Sequence, residues 1–495
     1  MGRTRSYESG LYNQLEKLNA KIDKLINENR NQSLIIYDLK LELEKANKTI
    51  DEQAKKIELL IEENEKLKNK NDKNSTNSSK PSSTNISTPK TSANEYNGRT
   101  KTNKSVGGQV GHTPHSLTKE IVKELIDSGK VEIKEVYHTI KGNPKTEPII
   151  KFRIGMEVKP YVEKHIFKYA KNSKEKLPKE FYTDVTYDNS IKALSIELGV
   201  NNVVSYERMS DFFNIISNDI LNISNGTLVN FLYEFRAKSE ATINNLEENL
   251  LNGINISTDE TGAKFNKKNM FVRNYSNEQT AVYKAHKCKG HKPIKEDNIL
   301  PRFTGGIMGD HDTTLYSYGT RNYECNVHLG RYLEELIQNI PDILWPLKMK
   351  ELIFRMQNTR KIAMAFGINY FDKSKIKEYE KEFDGILDIA KEENKKISSR
   401  YYKDKAKKLY NRLVKYKKNH LYFIYDFNVD FDNNMSEQDL RIFKIKTKVS
   451  GGFRSMKGAD SYVKALSIIK TSKKRKINHF DSIKRIFNNE ILFSN

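Results

Sequence analysis

The stretch Asn255-Ile256-Ser257-Thr258-Asp259-Glu260-Thr261-Gly262 alternates in polarity and ends in two acids and a glycine. Such alternation predicts a half-buried strand. The next two alternating runs, residues 270–276 and 280–286, flank Asn277-Glu278 and predict a β-hairpin. A further short strand at 305–309 leads directly into Asp310. The sequence therefore predicts a sheet with acids at the ends of two separate strands.

A helical region follows this sheet. Residues 325–425 are highly charged, tyrosine-rich and helical in pattern, and Asp432-Asn433-Asn434 then leads into a helix that runs from Met435 to Val449 and carries Glu437. We expect Asn434 or Ser436 to cap this helix, which leaves Glu437 in its first turn. A strand, a hairpin and a strand followed by helices predict an α/β fold.

Three carboxylates from two strands and a helix suit phosphodiester chemistry. Two Mg²⁺ ions roughly 4 Å apart can activate an attacking oxygen and stabilise the leaving one. Mg²⁺ prefers hard oxygen ligands and needs only one or two carboxylates for each ion. We expect Asp259 to bridge both ions, while Asp310 and Glu437 hold one each. The chain has 64 acids, however, so composition alone does not select these three.

Composition narrows the class of protein. The chain has 495 residues and a formal net charge of +22, which favours a polyanionic partner. At roughly 150 residues per domain, this length predicts about three folded units. Its two cysteines, Cys288 and Cys325, cannot build a disulfide framework. No signal peptide or run of ~20 apolar residues is present, and the basic residues are spread widely. We therefore expect a cytoplasmic protein that acts on nucleic acid and not on membranes.

Residues 1–72 contain a heptad repeat that predicts an oligomerising coiled coil. Thirteen of the seventeen a and d positions between 11 and 67 are apolar, with no proline or glycine between them. The a positions are Leu15, Ile22, Asn29, Ile36, Leu43, Ile50, Ile57 and Asn64, and the d positions are Leu11, Leu18, Leu25, Gln32, Leu39, Ala46, Gln53, Leu60 and Leu67. This pattern favours a parallel two-stranded coil roughly 85 Å long. The alternative is a single solvated helix.

Three regions separate the coil from the sheet. Residues 73–105 are rich in Asn, Ser, Thr, Lys and Pro and predict a disordered linker. Residues 106–180 begin with a glycine-rich turn at 107–112, and their alternation between 130 and 170 predicts a small β-rich DNA-binding module. In the helical region 181–250, Ser205 and Ser224 are expected N-caps. Their two helices fit a DNA-reading helix-turn-helix and a pair of packing helices equally well.

Weaker patterns surround the three acids. Two pairs, Cys288 with His291 and Cys325 with His328, have the residues of a zinc site, but packing or DNA contact is the stronger interpretation. The basic run at 473–476 is either a backbone-binding patch or a solvated tail. The candidate DNA-binding residues are His328, Arg331, Arg441, Arg454, Lys473, Lys474, Arg475 and Lys476.

Six motifs in one order resemble the insertion sequence 66 family of bacterial transposases, which belong to the DDE superfamily. In chain order they are Gly107-Gly108-Gln109-Val110-Gly111-His112, Asp259-Glu260-Thr261-Gly262, Asp310 with Tyr316 and Tyr318, Cys325-x-x-His328-x-x-Arg331, Asp432-Asn433-Asn434-x-x-Glu437-x-x-Leu440-Arg441, and Lys448-Val449-Ser450-Gly451-Gly452-Phe453-Arg454-Ser455. The resemblance runs from about residue 105 to 485 and also includes the N-terminal coil.

The resemblance implies an RNase H-like catalytic domain over 251–495, with a helical insertion at about 330–420. It implies Asp259, Asp310 and Glu437 as the catalytic and metal-binding triad, with two Mg²⁺ as cofactors and Mn²⁺ as a substitute. The implied substrates are the element ends and target DNA, the enzyme is a homo-oligomer, and accessory element-encoded proteins are possible partners. Neighbouring acids are rivals for the triad: Glu260, Asp312, Asp432 and Asp439.

Two departures from the family pattern stand out. Residues 106–250 contain no cysteine, whereas family members often carry a cysteine-based zinc segment there. Gly309 stands before Asp310, where the family pattern leads us to expect histidine. Two other functions remain open: an RNase H-fold nuclease that does not join strands, and a non-catalytic coiled-coil DNA-binding protein.

Overall fold

The computed structural model describes residues 2–73, 77, 118–138, 150–154, 158–168, 176, 178 and 181–494, with side chains from residue 16 onward. The predicted glycine-rich turn at 107–112 and nearly all of the predicted linker lie outside these residues. The chain divides into two compact units. The first comprises Met1–Ser87, Arg331–Phe354 and Lys377–Lys415, and the second comprises Thr88–Gly330, Arg355–Ile376 and Tyr416–Asn495.

One mixed five-stranded sheet forms the centre of the second unit. Its strands are β1 (Asn255–Phe265), β2 (Lys268–Ser276), β3 (Ala281–His286), β4 (Gly306–Gly309) and β5 (Arg321–Glu324). The order across the sheet is β3-β2-β1-β4-β5. The β1–β2 and β2–β3 pairs are antiparallel, and the β1–β4 and β4–β5 pairs are parallel. The predicted hairpin around Asn277 and the predicted strand before Asp310 are both confirmed.

The first strand is longer than the sequence predicts. β1 continues past Asp259 and Gly262 to Phe265, because Asn266 and Lys267 form a second two-residue hairpin turn with φ of 42° and 62°. Positive φ at both central residues matches the twist of the flanking strands. Asp259 therefore lies within β1, two residues beyond the last residue that pairs with β4.

Fifteen α-helices are assigned in the described residues. Those before the sheet are α1 (Gly2–Asp72), α2 (Lys119–Asp127), α3 (Asn189–Ile196), α4 (Tyr206–Ile216), α5 (Asn225–Lys238) and α6 (Glu240–Leu251). Those within or after it are α7 (His291–Asp297), α8 (Asn326–Asn339), α9 (Trp345–Ala365), α10 (Lys373–Glu393), α11 (Arg400–Lys415), α12 (Lys417–Tyr425), α13 (Asn434–Ser450), α14 (Met456–Lys474) and α15 (His479–Phe487). No helix among the described residues is long and apolar enough to span a bilayer.

Helix α14 covers the open edge of the sheet. The Ser467 and Thr471 hydroxyls accept hydrogen bonds from the backbone N–H groups of Tyr283 and Ala281 on β3, at 2.9 and 3.0 Å. These bonds satisfy edge-strand donors that would otherwise be buried without partners. α14 also packs on α5, and twelve of its nineteen residues are buried.

The two N-caps predicted in the helical region are confirmed. The Ser205 hydroxyl accepts from Arg208 N at the start of α4, and the Ser224 hydroxyl accepts from Thr227 N at the start of α5. Leu228, Phe231, Leu232 and Phe235, which form the apolar stripe of α5, are all buried. That face of α5 is therefore a packing face.

The small sheet predicted between 130 and 170 is not found in its described part. Residues 132–138, 150–154 and 158–168 have no regular secondary structure and are exposed. The Phe167 ring contacts Phe181, with centroids 5.1 Å apart, but the apolar side chains of these residues stay exposed, so burial does not drive strand pairing.

Within the first unit, α1 is one continuous 71-residue helix whose apolar heptad positions from Leu18 to Leu67 are exposed, Ile36 to 54%. Its C-terminal end contacts α11 and the residue before it: the Tyr401 hydroxyl donates to Asn69 Oδ1, and the Ser399 hydroxyl donates to Glu65 Oε2.

Candidate active site

The parallel pairing of β1 and β4 brings two of the predicted acids together. Ser257 pairs with Met308, so the positions two residues further on are Asp259 and Asp310. Because side chains alternate along a strand, both acids lie on the same face of the sheet. Gly309 is buried beneath this site, and a Cβ there would lie 2.3 Å from Leu315 Cδ1. The packing of Leu315 thus explains why no histidine precedes Asp310.

The third acid reaches the site from helix α13. Glu437 lies in the first turn of this helix, as predicted. The predicted caps are wrong: the N-cap is Asn433, which makes no side-chain cap hydrogen bond, and the Ser436 hydroxyl instead donates to Asn274 Oδ1. The buried Asn433 amide turns toward the site, where its Nδ2 donates to Thr258 O at 2.9 Å and to Asp310 Oδ1 at 3.1 Å.

A histidine stands between two of the acids. His328 Nδ1 lies 3.3 Å from Asp310 Oδ1 and 3.7 Å from Glu437 Oε1. It is also 3.4 Å from Cys325 Sγ. Asp310, Glu437, His328 and Cys325 each have one ligand atom within 4.8 Å of the others. A buried imidazole and a buried thiol therefore lie beside two of the three predicted carboxylates.

The electrostatics of the site disfavour the charge of Asp259. Burial, reinforced by the negative charge of Asp310, raises the pKa of Asp259 to about 6. Lys444 and the Glu260 N–H, which donates to Asp259 Oδ1 at 2.7 Å, act in the opposite direction. Clustered carboxylates with a raised pKa are typical of functional sites. Burial also raises the pKa of the Cys325 thiol, which therefore stays protonated.

The rival acids have other partners. Glu260 and Asp312 both accept from Arg273 Nη2, at 3.0 and 3.4 Å, and Glu260 also pairs with Lys289. Asp439 pairs with Lys474 at 2.9 Å and accepts from the Ser276 hydroxyl. The carboxylate of Asp432 accepts from Asn434 N. Each rival acid therefore has its own partners, and none of the four belongs to the cluster that contains Asp310, His328 and Glu437.

A cavity of about 410 Å³ opens beside Asp259 and Asp310. Its lining is mostly polar and charged and includes Arg273, Lys289, Gly290 and Thr314. Glu260 and Asp312 line it as well, so four carboxylates share this space with two cationic side chains, an arrangement that suits bound cations more than a bare anion.

The candidate DNA-binding residues are placed differently from one another. Arg441 on α13 and Arg454 are exposed, Arg331 is half-buried, and His328 is buried beside the acids. The turn that carries Arg454 is fixed to the end of β1, because Phe453 N donates to Lys264 O at 2.8 Å.

The basic run at the end of α14 makes contacts within the protein. Lys473 Nζ donates to Asn201 Oδ1, Lys474 pairs with Asp439, and Arg475 donates to Gln279 O and Thr280 Oγ1. Lys476 is exposed and has a φ of 56°. Lys473, Lys474 and Arg475 are therefore held by the protein itself, and the predicted DNA contact of this run stays a prediction.

The four residues of the candidate Cys₂His₂ site do not meet among the described residues. Cys288 is exposed and His291 Nδ1 lies 3.1 Å from the Tyr318 hydroxyl, whereas Cys325 and His328 belong to the acid cluster. The sequence suggested His328 as a DNA contact or, less strongly, as a zinc ligand, and it gave Asn433 no role in the site. The Asp432-Asn433-Asn434 motif was the available signal for Asn433, since an asparagine before a helix suggests a directed side chain.

Comparison with known proteins gives the family directly. The family model described as "Transposase IS66 family" matches residues 184–461, which is 278 of the 495 residues. No curated protein and no solved structure matches the chain. The match covers all five strands, the three predicted acids and the helices between them, and it confirms the resemblance in the sequence motifs. The chain therefore belongs to the IS66 family of transposases.

Proposed function

We propose that this transposase cleaves DNA at insertion-sequence ends and transfers the strand to target DNA, using Asp259, Asp310 and Glu437. The single observation that carries the proposal is the proximity of these acids: Asp259 and Asp310 stand at matching positions past the β1–β4 pairing, and Asp310 and Glu437 each offer an oxygen within 4.8 Å of the other. A sheet with three antiparallel strands and two parallel ones, with acids on β1, after β4 and on a following helix, supports an RNase H-like core. In this proposal, the helices between β5 and α13 are an insertion into that core.

The residues present fit divalent cations that prefer oxygen ligands. Asp259, Asp310 and Glu437 offer carboxylate oxygens, the donors that Mg²⁺ and Mn²⁺ take. The buried Asn433 Oδ1 has no hydrogen-bond partner among the described residues, which adds a further oxygen at the site. Cys325 is unsuited as a ligand, because burial keeps its thiol protonated and Asn433 N donates to its sulfur. Mg²⁺ bound by the three acids would neutralise charge on the phosphate and activate the attacking oxygen.

The protein's own residues hold this site in shape. The Asn433 amide orients the Asp310 carboxylate, and His328 is placed to share a proton with Asp310 or Glu437. Arg273 draws Glu260 and Asp312 aside and keeps both charges compensated. Lys289, with its side chain 56% exposed at the cavity, is positioned to contact a phosphate of the bound strand.

We further propose that α1 joins protomers as a coiled coil. The exposed apolar seam of a 71-residue helix supports this, because such a seam is stable in water when it packs on another helix. Two protomers joined in this way could bring two element ends together.

The experiment is metal-dependent cleavage and joining of DNA that carries the element ends. We compare wild type with Asp259→Asn, Asp310→Asn and Glu437→Gln, and use Glu248→Gln, an acid on α6 paired with Arg302, as the control for lost charge. The expected result is that each triad variant binds DNA but neither cleaves nor joins it, while the control is active.

Two other results would redirect the assignment. Cleavage without joining by wild type would favour the nuclease alternative, since the same acids serve hydrolysis. Loss of DNA binding in all three variants would contradict the catalytic role of the acids.

A further inference from the structure

A second cluster of metal-ligating side chains lies next to the acids. His311, Glu324 and His420 each place one ligand atom within 4.8 Å of the others. The cluster is buried: the side chains of His311 and Glu324 are 6% and 2% exposed, and His420 is 0% exposed. All three belong to the second unit, and none was singled out by the sequence motifs.

The ends of β4 and β5 divide their residues between the two clusters. Gly309 pairs with Glu324, and the ladder continues because Cys325 N donates to Gly309 O at 3.2 Å. Consecutive side chains then diverge: Asp310 and Cys325 join the acid cluster, while their neighbours His311 and Glu324 join the second cluster. The geometry of one cluster is thus coupled to that of the other through single peptide units.

The backbone at His311 is in an uncommon conformation. Its φ is +54°, in the left-handed region that residues other than glycine rarely adopt. Such conformations persist when the surroundings fix the side chain, and they occur preferentially at functional sites. Here the turn directs the imidazole toward Glu324, with His311 Nε2 3.1 Å from Glu324 Oε2.

The tautomer of His420 is that of a metal ligand. Asn326 Nδ2 donates to His420 O at 2.9 Å, so Asn326 Oδ1 is the acceptor that faces His420 Nδ1 at 3.1 Å. The proton of His420 is therefore on Nδ1, and Nε2 carries a lone pair. A hydrogen bond from the second ring nitrogen to a nearby oxygen is the usual support of a ligating histidine.

Glu324 is supported in the same way. The Tyr316 hydroxyl donates to Glu324 Oε1, which leaves Oε2 facing His311. The His311 and His420 rings meet edge to face, with centroids 5.3 Å apart and planes at 89°. Two ligand atoms on a tetrahedral zinc ion are ~3.4 Å apart, given bonds near 2.1 Å. The His311–Glu324 separation is close to that value.

We propose that His311, Glu324 and His420 bind one Zn²⁺ ion. Two imidazole nitrogens and a single carboxylate suit zinc, whereas Mg²⁺ prefers oxygen ligands alone. The site is distinct from the carboxylate triad, and zinc binding there is independent of the proposed function, whereas the role of the zinc rests on that function. Its role is to position Asp310: bound zinc locks the turn at His311 and thereby fixes the direction of the preceding carboxylate.

The test uses the full-length protein and Co²⁺ as a spectroscopic substitute for zinc. Tetrahedral Co²⁺ with nitrogen ligands absorbs in the visible, whereas octahedral Co²⁺ on oxygen ligands absorbs far more weakly. We expect one Co²⁺ per chelator-treated chain with the tetrahedral spectrum, and its displacement by Zn²⁺. His420→Gln and Glu324→Gln should each weaken this binding at least tenfold, and an Asp310→Asn, Glu437→Gln double variant should keep it.

The readout separates this site from the active site without an activity assay. Absence of the tetrahedral spectrum in folded wild type, or its persistence in Glu324→Gln, would overturn the proposal and leave a buried histidine–glutamate ion pair. Loss of the spectrum only in the Asp310→Asn, Glu437→Gln variant would also overturn it, because the metal would then sit on the acids. Far-UV circular dichroism shows whether each variant is folded. If His420→Gln does not fold, Glu324→Gln provides the test.

Discussion

Replacing Asp259 by asparagine should stabilise the metal-free protein at neutral pH. The buried carboxylate is ionised at pH 7, although burial and Asp310 raise its pKa from 3.8 to about 6. Each unit of difference between the two pKa values corresponds to about 1.4 kcal/mol, so holding that charge in the folded state costs about 3 kcal/mol. Asparagine keeps the shape and removes the charge. Because its amide is also buried, we expect a gain of about 1 to 3 kcal/mol.

The sign of the pH dependence follows from the direction of the shift. The folded state binds the Asp259 proton more tightly than the unfolded state, so wild-type stability rises as the pH falls from above 6 toward 3.8. The advantage of Asp259→Asn should therefore be largest at pH 7 and fall to roughly half by pH 5.

The hydrogen exchange rates of the β1 and β4 backbone amides, measured in EDTA, report the stability difference between wild type and Asp259→Asn in this part of the protein. The only tryptophan, Trp345, lies in the first unit, so its fluorescence would report on the other unit. At pH 7 we expect exchange in Asp259→Asn to be about 5 to 160 times slower than in wild type, after correction for intrinsic rates. Equal or faster exchange, or a difference that does not change with pH, would refute the reasoning.

Three further predictions concern the sheet, the cavity and the coil. Gly452→Ala should destabilise the second unit by about 2 kcal/mol or more in urea unfolding, because φ there is +137° and a Cβ would lie 2.5 Å from Lys264 O. Arg273→Met should destabilise the second unit by about 3 to 5 kcal/mol in the same assay, because it removes the buried cation that pairs with the buried Glu260 carboxylate. Ile36→Asp should dissociate the proposed coiled-coil oligomer, as measured by light scattering, because it charges the centre of the seam.

Each of these variants has a matched control. Gly451→Ala places its Cβ where nothing lies within 4 Å and should cost only about 1 kcal/mol. Lys289→Met removes the exposed partner of Glu260 and should change stability by less than about 1 kcal/mol. Ile35→Asp lies beside the seam at 58% exposure and should leave the oligomer intact. If a variant and its control behave alike, the corresponding explanation is wrong.

Local sequence signals predicted the local structure well. Ser205 and Ser224 were readable as N-caps because capping needs only a side chain and the N–H three residues later. The hairpin around Asn277 and the acid after β4 were readable because alternation and turn residues lie close together in sequence.

Features set by distant contacts were not readable. Asn433 rather than Asn434 is the N-cap of α13, and its amide is held by Thr258 and Asp310 at the sheet. His420 lies far along the chain from His311, and only the packing of α12 beside β5 brings their rings together. Long-range placement of this kind leaves no periodic pattern in the sequence.

Strand joining by pre-cleaved element ends tests the central claim most directly. Such DNA already carries a 3′-hydroxyl, so joining to target DNA requires only the active site and divalent metal. We expect joining by wild type with Mg²⁺ or Mn²⁺, none with EDTA, and none by Glu437→Gln despite normal DNA binding. Joining by Glu437→Gln at the wild-type level would contradict the assignment of this acid. Joining by the wild-type protein in EDTA would contradict the metal-dependent mechanism.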